Sequence, residues 1–406
     1  MTKKILIISQ SGVIGTVGGA IKVFCQLANV LSNLDYEVIT ACYNQKKGKP
    51  FIKLDEKVRF INLYHLDTKG YLKKQHKIPL FEKIISDIFT RQAAKFCAFD
   101  YSRKVEYLIE EEKPDLIIYF FPLMLFQSTF MKNFDIPQVL CYHSRPDVYY
   151  NKHLSAEKKI IPLFKIATKK VNYVQVLFES YKKLAKKYLN SNCKIETIYN
   201  YIEIPESQVQ LEQEKKKLIY LSRIDKFKGA DFLIKSFSKI ATKYPDWEVH
   251  IYGEIQPLSF EDDLNNLIKM HNLQNQVKLN GVTNNPVEKF LQSDICVFPS
   301  YLEGFPMGLI EAMATGLPCI GLKSCSGVNE LIKNNENGFL CKKNENDFAA
   351  KMALLIENKD LRIEFGKNAR KSMEKYSYLD NYANLWDNFI KQILKETNQI
   401  NGFVKK

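Results

Sequence analysis

Two successive series of strand and helix patterns constrain this chain more than any other feature of its sequence. In the first half, short and almost continuously apolar segments alternate with stretches of helical periodicity: "KILIIS", "YEVITACY", "VRFINL", "DLIIYFF", "PQVLCYH" and "YVQVLF". In the second half the same alternation returns: "KLIYLSR", "WEVHIYG", "VKLNG", "ICVFPS" and "LPCIGL". Such apolar runs are typical of strands buried in parallel sheets. Strands joined by helices form right-handed βαβ units, so we predict an α/β fold with two doubly wound domains and a cleft between them.

The boundary between the two domains is predicted near residues 198–217, "IYNYIEIPESQVQLEQEKKK". A length of 406 residues suggests roughly two or three domains, and a proline with a polar, charged tract interrupts the periodicity there. We therefore expect one domain over residues 1–200 and a second over residues 201–379. The C-terminal helix, residues 380–406, is expected to pack back onto the first domain.

The composition indicates a folded cytoplasmic protein. Hydrophobic residues make up 46% and charged residues 26% of the chain, as in folded globular proteins. The longest apolar run, residues 116–126, is well short of the roughly 20 residues that a membrane-spanning helix needs. The start, "MTKKILIIS", has too short an apolar core for a signal peptide. Nine scattered cysteines form no C-x-x-C pair, which favours reduced thiols in a cytoplasm.

The net charge of +14 lies entirely in the first half of the chain. Residues 1–200 carry 32 lysines and arginines against 18 acidic residues, whereas residues 201–406 carry 27 of each. This asymmetry indicates that the first domain faces a polyanion or an anionic membrane surface, or that its lysine-rich surface is merely solvated. Nucleic acid is the less favoured partner, because aromatic residues are not interleaved with the basic ones in a recognised module.

Residues 69–99 contain a basic amphipathic pattern, with apolar side chains at helical spacing and lysines and arginines around them. A helix of this kind can lie on an anionic bilayer surface at the cytoplasmic face. The alternative is that its apolar stripe packs on the domain core, which is the commoner fate of such a stripe. The sequence leaves both readings open.

Polar and glycine residues follow four strands of the second domain. "RIDKFKG", with Arg223 and Lys228, follows the first strand, Glu254 and Gly281 follow the next two, and "EGFPMGLIE" follows "ICVFPS". In open α/β sheets ligands bind outside the carboxyl ends of the strands. We therefore expect these four segments to line one edge of one sheet.

The nonapeptide "EGFPMGLIE", residues 303–311, is predicted to be a strand-to-helix loop. A helix is expected from about Gly308, with Gly316 and Pro318 as its stop. The backbone amides of the loop and the helix N-terminus would form an anion site, and carboxylates are good acceptors for sugar hydroxyls. Glu303 in the loop and Glu311 in the first helical turn therefore point to a nucleotide sugar. The alternative is that Glu311 only complements the helix dipole and Glu303 is an exposed loop residue.

These segments resemble a known family. The spacing of Glu303 and Glu311, with "GFP" between them, "EAMATGLP", "SRIDKFKG" and "NGFL" are similar to the retaining GT-B glycosyltransferases related to glycogen synthase, known as the GT4 or glycosyl transferases group 1 family. The resemblance is sharpest over residues 218–340 and loose in the first half. It implies a GT-B architecture, in which two Rossmann-like doubly wound domains face a central cleft.

The resemblance also implies roles for individual residues. Arg223 and Lys228 would hold the donor diphosphate, Glu303 the transferred sugar, and Glu311 the ribose. His143, in "LCYHSRP", would lie near the transferred sugar, although a lone histidine is more often structural. The catalytic candidates are His143, Arg223, Lys228 and Glu303. The substrate-binding candidates are Gly18, Gly19, Val282, Gly304, Phe305, Pro306, Met307, Gly308, Glu311 and Glu330.

Two departures from the family pattern affect these candidates. "TVGGAIKV" keeps Gly18 and Gly19 but has Ile21 where relatives have an acidic residue, and this weakens the assignment of acceptor contacts there. "CSGVNE" keeps one glycine, Gly327, before Glu330, where relatives have two. Glu330 is therefore a donor-side candidate that matches the family pattern only in part.

The expected reaction is a metal-independent transfer of a hexosyl or N-acetylhexosaminyl unit with retention of configuration. The expected donor is UDP-linked, and the expected acceptor is a glycan or a lipid-linked sugar in bacterial surface polysaccharide or glycoconjugate synthesis. Cations and a helix N-terminus would stabilise the leaving diphosphate, and the chain has no D-x-D segment to hold a metal. No cofactor is expected. The alternatives are a nucleotide-sugar epimerase, a phosphorylase on the same fold, a binding protein without activity, and a basic nucleic-acid-binding protein.

Overall fold

The computed structural model divides the chain into two compact units. The first comprises Met1–Asn200 together with Leu379–Lys406, and the second comprises Tyr201–Tyr378. The structure describes residues 2–9, 13–15, 18–50, 52–68, 98–125, 128, 131–151, 161–169 and 171–404. The basic amphipathic segment predicted at residues 69–99 lies outside the described residues, except for its last two positions.

Parallel strands and helices alternate throughout the first unit. Its described strands are β1 (Lys4–Ile8), β2 (Glu37–Cys42), β3 (Arg59–Asn62), β4 (Leu116–Tyr119), β5 (Gln138–Tyr142), β6 (Tyr173–Val176) and β7 (Lys194–Thr197). Its described α-helices before residue 200 are α1 (Gly19–Asn33), α2 (Ala98–Glu112), α3 (Pro122–Leu125), α4 (Ile161–Thr168) and α5 (Glu179–Lys186). The strand order is β3-β2-β1-β4-β5-β6-β7. Each pairing is parallel, so all carboxyl ends lie at one edge of the sheet.

The second unit repeats this plan with a smaller sheet. Its strands are β8 (Lys217–Leu221), β9 (Glu248–Tyr252), β10 (Val277–Leu279), β11 (Ile295–Phe298), β12 (Cys319–Leu322) and β13 (Gly338–Cys341). Its α-helices are α6 (Ala230–Ser238), α7 (Ser259–Met270), α8 (Pro286–Leu291), α9 (Met307–Ala314), α10 (Val328–Leu331), α11 (Glu345–Glu357) and α12 (Lys359–Met373). The parallel order is β10-β9-β8-β11-β12-β13. The last helix, α13 (Leu379–Val404), returns to the first unit.

The apolar runs form the cores of the sheets, as their periodicity predicts. Side chains of β1 from Ile5 to Ile8 and the whole of β11 are buried, as expected for strands with helices on both faces. In α13 the indole of Trp386 is fully buried, and Tyr36 donates a hydrogen bond of 2.7 Å to Asp387. The prediction of two doubly wound α/β domains is confirmed.

Sequence patterns missed the last strand of each sheet. β7 and β13 are edge strands, and β7 is composed of half-buried and exposed residues, so it lacks the apolar run by which the central strands were found. Helical periodicity in the sequence predicts one helix over residues 230–244, and the structure has a shorter one. α6 ends at Ser238, and the chain continues through tight turns such as that from Ile240 N to Phe237 O.

Two findings concern membranes and disulfides. Among the described residues, no helix is long and apolar enough to cross a membrane. The eight cysteines in the described part of the chain are free thiols, seven of them buried.

Candidate functional site

The four segments singled out after strands of the second domain do lie along one edge. They follow β8, β9, β10 and β11, which are neighbours in one parallel sheet. The loops that leave β8 and β11 carry the candidate charged residues. These are the β8–α6 loop, residues 222–229, and the β11–α9 loop, residues 299–306.

The β8–α6 loop is held in a fixed shape by the strand that precedes it. The buried hydroxyl of Tyr220 donates to the carbonyls of Arg223, at 3.2 Å, and Lys228, at 3.4 Å. Gly229 ends the loop at φ +73°, and a Cβ there would lie 2.4 Å from the carbonyl oxygen of Pro299. Only glycine combines that backbone conformation with so close an approach. The loop is thereby seated directly against the end of β11.

Lys228 and Glu303 form an ion pair between these two loops. The distance from Lys228 Nζ to Glu303 Oε1 is 2.6 Å, and their side chains are only 15% and 9% exposed. A short, shielded ammonium–carboxylate contact is much stronger than a surface pair. The carboxylate also influences its surroundings, because its charge adds to burial in raising the pKa of Cys325 to about 12. The structure therefore brings together two residues that are 75 positions apart in the chain. The family resemblance implies that Lys228 holds the donor diphosphate and that Glu303 holds the transferred sugar.

Arg223 has a different partner. Its Nε and one terminal nitrogen both lie 2.9 Å from Oδ2 of Asp225, and the arginine side chain remains 57% exposed. The other oxygen of Asp225 accepts from Phe227 N at 2.8 Å, so one carboxylate fixes both the loop and the guanidinium. Arg223 is thus an exposed cation with a fixed orienting partner.

The N-terminus of α9 lies close to the end of β8. A Cβ on Gly308 would be 2.4 Å from the carbonyl oxygen of Leu221 and 3.6 Å from the ring of Phe298, so glycine permits this close packing. Ile310 N bonds to Pro306 O at 3.0 Å, and the amides of residues 307–309 precede that bond. Amides at this position carry the positive end of the helix dipole.

The position of Glu311 corrects one expectation from the sequence. α9 begins at Met307, one residue before Gly308, so Glu311 is the fifth helical residue and lies in the second turn. The first turn contains no acidic residue. The reading in which Glu311 complements the helix dipole loses its basis, since that effect falls off within the first turn. The stop at Gly316 is confirmed: Gly316 has φ +89°, and Leu317 N bonds to Ala312 O, which closes a Schellman motif.

The β11–α9 loop rests on a second layer of contacts. Gly327, at φ +86°, would place a Cβ 2.7 Å from Gly304 O, so the turn before α10 packs directly under residues 303 and 304. The ring of Phe305 is buried and meets Tyr376 edge to face, with ring centroids 5.3 Å apart. Phe305 therefore anchors the loop through its side chain, which leaves only its backbone as a candidate for ligand contact.

Val282 lies beside a cavity at the carboxyl ends of β9 and β10. The cavity has a volume of about 530 Å³, and Gly253, Glu254, Gly281 and Val282 are among its lining residues. Val282 is 66% exposed, which is unusual for so apolar a side chain. A concave site with exposed apolar groups and a few polar ones is suited to a planar heterocycle.

Glu330 occupies a separate position. It lies in α10, where it lines a different cavity together with Lys333 and Lys375. Burial and the charge of Lys333 lower the pKa of Lys375, and the charge of Glu330 partly opposes that lowering. The structure therefore groups Glu330 with these lysines, although Gly327, three residues earlier, contacts the β11–α9 loop.

Two candidates lie in the first unit. His143 follows β5, its ring stacks on Phe120 with centroids 4.0 Å apart, and neither ring nitrogen has a hydrogen-bond partner among the described residues. Burial lowers the pKa of His143 to about 3, so the imidazole is neutral near pH 7. Gly18 caps α1 and Gly19 begins it; a Cβ on Gly18 would meet nothing within 4 Å. Ile21, which replaces the family's acidic residue, is buried.

Sequence reasoning missed the residues that shape the site. Tyr220, Asp225, Gly229 and Gly327 act through contacts between segments far apart in the chain. The signals "RIDKFKG" and "CSGVNE" contained three of these residues, but nothing in the spacing showed which carbonyl each glycine approaches. Within the described part of the chain, no group of three His, Cys, Asp or Glu side chains is placed to hold a metal ion.

The second unit matches a known family model. The model described as "Glycosyl transferases group 1" matches residues 203–372, which include both loops and the cavity beside Val282. The recognition of this family from its motifs is confirmed.

Two of the similar proteins illustrate how far the likeness extends along the chain. An uncharacterised glycosyltransferase of Haemophilus influenzae is 29% identical over 367 residues, which is 89% of this chain and 94% of that protein. A poly(ribitol-phosphate) alpha-N-acetylglucosaminyltransferase of Staphylococcus aureus is 32% identical over 196 residues, 47% of this chain and 39% of its own length.

The fold matches those of solved GT-B glycosyltransferases. A crystal structure of a mutant of S. aureus TarM, in complex with fondaparinux, alpha-GlcNAc-glycerol and UDP, superimposes with a TM-score of 0.76 at 19% identity. The superposition covers 96% of this chain and 99% of that one. The similarity extends over both units.

Proposed function

Because residues 203–372 form a glycosyl transferases group 1 domain, we propose that this chain is a glycosyltransferase of bacterial polysaccharide or glycoconjugate synthesis. It moves a hexosyl or N-acetylhexosaminyl unit from a UDP-linked donor to a glycan or lipid-linked acceptor. Relatives with named substrates support this, among them the enzyme that glycosylates poly(ribitol phosphate), as does the UDP bound in a structure of the same fold.

One observation carries the proposal: the shielded contact between Lys228 and Glu303 beside the N-terminus of α9. Transfer breaks the bond between the anomeric carbon and an oxygen of the β-phosphate. The acceptor hydroxyl oxygen bonds to the anomeric carbon, its proton is released, and the electron pair leaves with the diphosphate. Lys228, Arg223 and the amides of residues 307–309 stabilise that negative charge, and their positions are set before reaction.

The two carboxylates are proposed to bind hydroxyl groups. Glu303 reaches the sugar while its contact to Lys228, at 2.6 Å, holds the carboxylate in a fixed orientation. Glu311 accepts hydrogen bonds from the ribose, since an ionised carboxylate is a strong acceptor for a diol. The cavity of about 530 Å³ beside Val282 takes the base. Glu330 is retained as a weaker donor-side candidate.

The finer features of the reaction are also proposals. We propose that transfer proceeds with retention and needs neither a metal nor a cofactor, because the cations of the chain itself can neutralise the diphosphate. His143 beside the transferred sugar remains a prediction from the sequence. The low pKa of its ring suits a neutral hydrogen-bonding group and excludes a cationic acid near pH 7. Peripheral contact of residues 69–99 with an anionic membrane likewise remains a prediction.

The first test is a panel of UDP-, GDP- and ADP-sugars, each screened by its effect on the melting temperature. The sugar that stabilises the protein most is then incubated with candidate acceptors, and free nucleotide is measured. A transferase releases UDP faster when the correct acceptor is present. An epimerase would instead convert the donor sugar without any acceptor, and that result would overturn the proposal. Activity measured with and without EDTA tests the prediction that no metal is needed. The anomeric coupling constants of donor and product, measured by NMR, test the prediction of retention.

A further inference from the structure

A second cavity, of about 340 Å³, lies at the C-terminal end of α12 and is separate from the two loops just described. Three lysines, Lys333, Lys371 and Lys375, line it together with Glu330, Tyr376 and Tyr378. None of the residues of the β8–α6 or β11–α9 loops is among its lining residues. Only Glu330 of this set was assigned to a substrate by the sequence.

The positive charge in this cavity is only partly compensated. Among the described residues, no carboxylate lies within 4.0 Å of the ammonium of Lys371 or Lys375, whereas Lys333 reaches Glu336 at 3.4 Å. The Lys375 ammonium instead lies 4.5 Å from the centroid of the Tyr376 ring. Burial and the nearby Lys333 lower the pKa of Lys375, with Glu330 opposing them. An anion near Lys375 would relieve that unfavourable arrangement.

The remaining lining groups narrow the chemistry of the ligand. Glu330 and Glu374 also line the cavity, and they would repel a bare anion but accept hydrogen bonds from hydroxyl groups. The volume exceeds what one phosphate needs, and tyrosine rings offer an apolar face to a sugar ring. We propose that this cavity binds a small phosphorylated sugar, with its phosphate on Lys375 and the neighbouring lysines and its hydroxyls on the glutamates.

The walls of this cavity also support the β11–α9 loop. Tyr376 meets Phe305 of that loop edge to face at 5.3 Å. α10, which carries Glu330, begins after Gly327, where an added Cβ would lie 2.7 Å from Gly304 O. A ligand that orders Tyr376 and α10 would therefore also order residues 303–305, which rest on them. If the proposed donor site is correct, the phosphorylated sugar and UDP will alter each other's affinity, because coupling between two sites is reciprocal.

The test uses ribose 5-phosphate as the probe, with ribose and inorganic phosphate as comparators, each titrated into the full chain by calorimetry. Titrations are made with and without saturating UDP. We expect ribose 5-phosphate to bind at least about tenfold more tightly than either comparator. We also expect Lys375→Met to weaken it at least about tenfold, since charge-assisted contacts are the strong ones. Lys269→Met removes one exposed lysine of α7 and serves as the matched control.

Folding of the variant is checked by its melting temperature. Because Lys375 is exposed and makes no ion pair among the described residues, Lys375→Met is expected to melt close to the parent. Three results would overturn the proposal: no binding of ribose 5-phosphate at 10 mM, about the same affinity for inorganic phosphate, or unchanged affinity in Lys375→Met. Binding that UDP competitively abolishes would place the ligand in the donor site and also contradict it. The titration without UDP requires no transferase activity. It therefore tests binding to this cavity even if the proposed transferase function is wrong.

Discussion

Removing the ammonium of Lys228 should destabilise the second unit far more than removing the ammonium of an exposed lysine whose ion pair has the same length. Lys228→Met leaves the Glu303 carboxylate, 9% exposed, without its contact at 2.6 Å. Stranding a largely buried charge costs about 2–4 kcal/mol. Lys243→Met is the matched control, since its contact to Glu357 is also 2.6 Å long but the side chains are 67% and 49% exposed. That surface pair should contribute far less, because solvent screens an exposed ion pair.

The double variant Lys228→Met/Glu303→Gln separates stability from function. Neutralising both partners removes the stranded charge, so the free energy of unfolding should return to within about 1 kcal/mol of the parent. UDP affinity should remain low, because the cation proposed to bind the diphosphate is absent. A double-mutant cycle on the free energy of unfolding then gives the coupling energy of the pair.

The assay can report on the second unit alone. The chain has two tryptophans, Trp247 in the second unit and Trp386 in the first, and both are buried. In a Trp386→Phe background, urea titration followed by fluorescence reports the unfolding of the second unit through Trp247. Equal destabilisation by Lys228→Met and Lys243→Met would refute the reasoning, as would recovery of UDP affinity in the double variant.

Three further predictions follow from the geometry of individual residues. Glu311→Ala should weaken UDP binding by roughly 1–3 kcal/mol if the carboxylate accepts hydrogen bonds from the ribose, and Glu311→Gln should weaken it less. UDP affinity is measured by calorimetry, and unchanged affinity in both variants would contradict the assignment. Gly308→Ala places a Cβ 2.4 Å from Leu221 O, so it should cost about 1–3 kcal/mol of stability and weaken UDP binding; a parent-like urea midpoint would show that α9 can shift without penalty. His143 has a folded pKa of about 3, below its unfolded value, so stability present above about pH 6.5 should fall on acidification. From pH 7 to pH 5 the loss should be about 2 kcal/mol, and His143→Phe should remove that share of the pH dependence.

The central strands could be predicted from the sequence because the apolar runs that identify them lie within single short segments. Runs such as "KILIIS" and "ICVFPS" are apolar on both faces, and their alternation with helices fixes the fold class. β7 was not found because it is an edge strand of half-buried and exposed residues and lacks an apolar run. β13 is mostly buried, but its residues were interpreted only as part of the segment "NGFL". The end of α6 at Ser238 was missed because the apolar periodicity continues through the tight turns that follow the helix.

The charged residues of the candidate site could be predicted from the sequence, but the contacts that hold them in place could not. Lys228 and Glu303 could be named because each lies in a recognisable segment after a strand. Their contact, the bond of Asp225 to Arg223 and the approach of Gly327 to Gly304 depend on how loops meet across the sheet edge. The placement of Glu311 in the second turn depended on a one-residue shift in the start of α9, and such boundaries are the least certain feature of a sequence pattern.

The central claim is that Lys228 and the N-terminus of α9 bind a diphosphate, and calorimetric titration with UDP and uridine tests it most directly. The parent protein should bind UDP at least about 100-fold more tightly than uridine, because charge-assisted contacts to phosphate carry most of the affinity. In Lys228→Met that ratio should fall at least about tenfold, with uridine affinity unchanged and Lys243→Met behaving as the parent. A ratio of UDP to uridine affinity that is the same in the parent and in Lys228→Met would contradict the account.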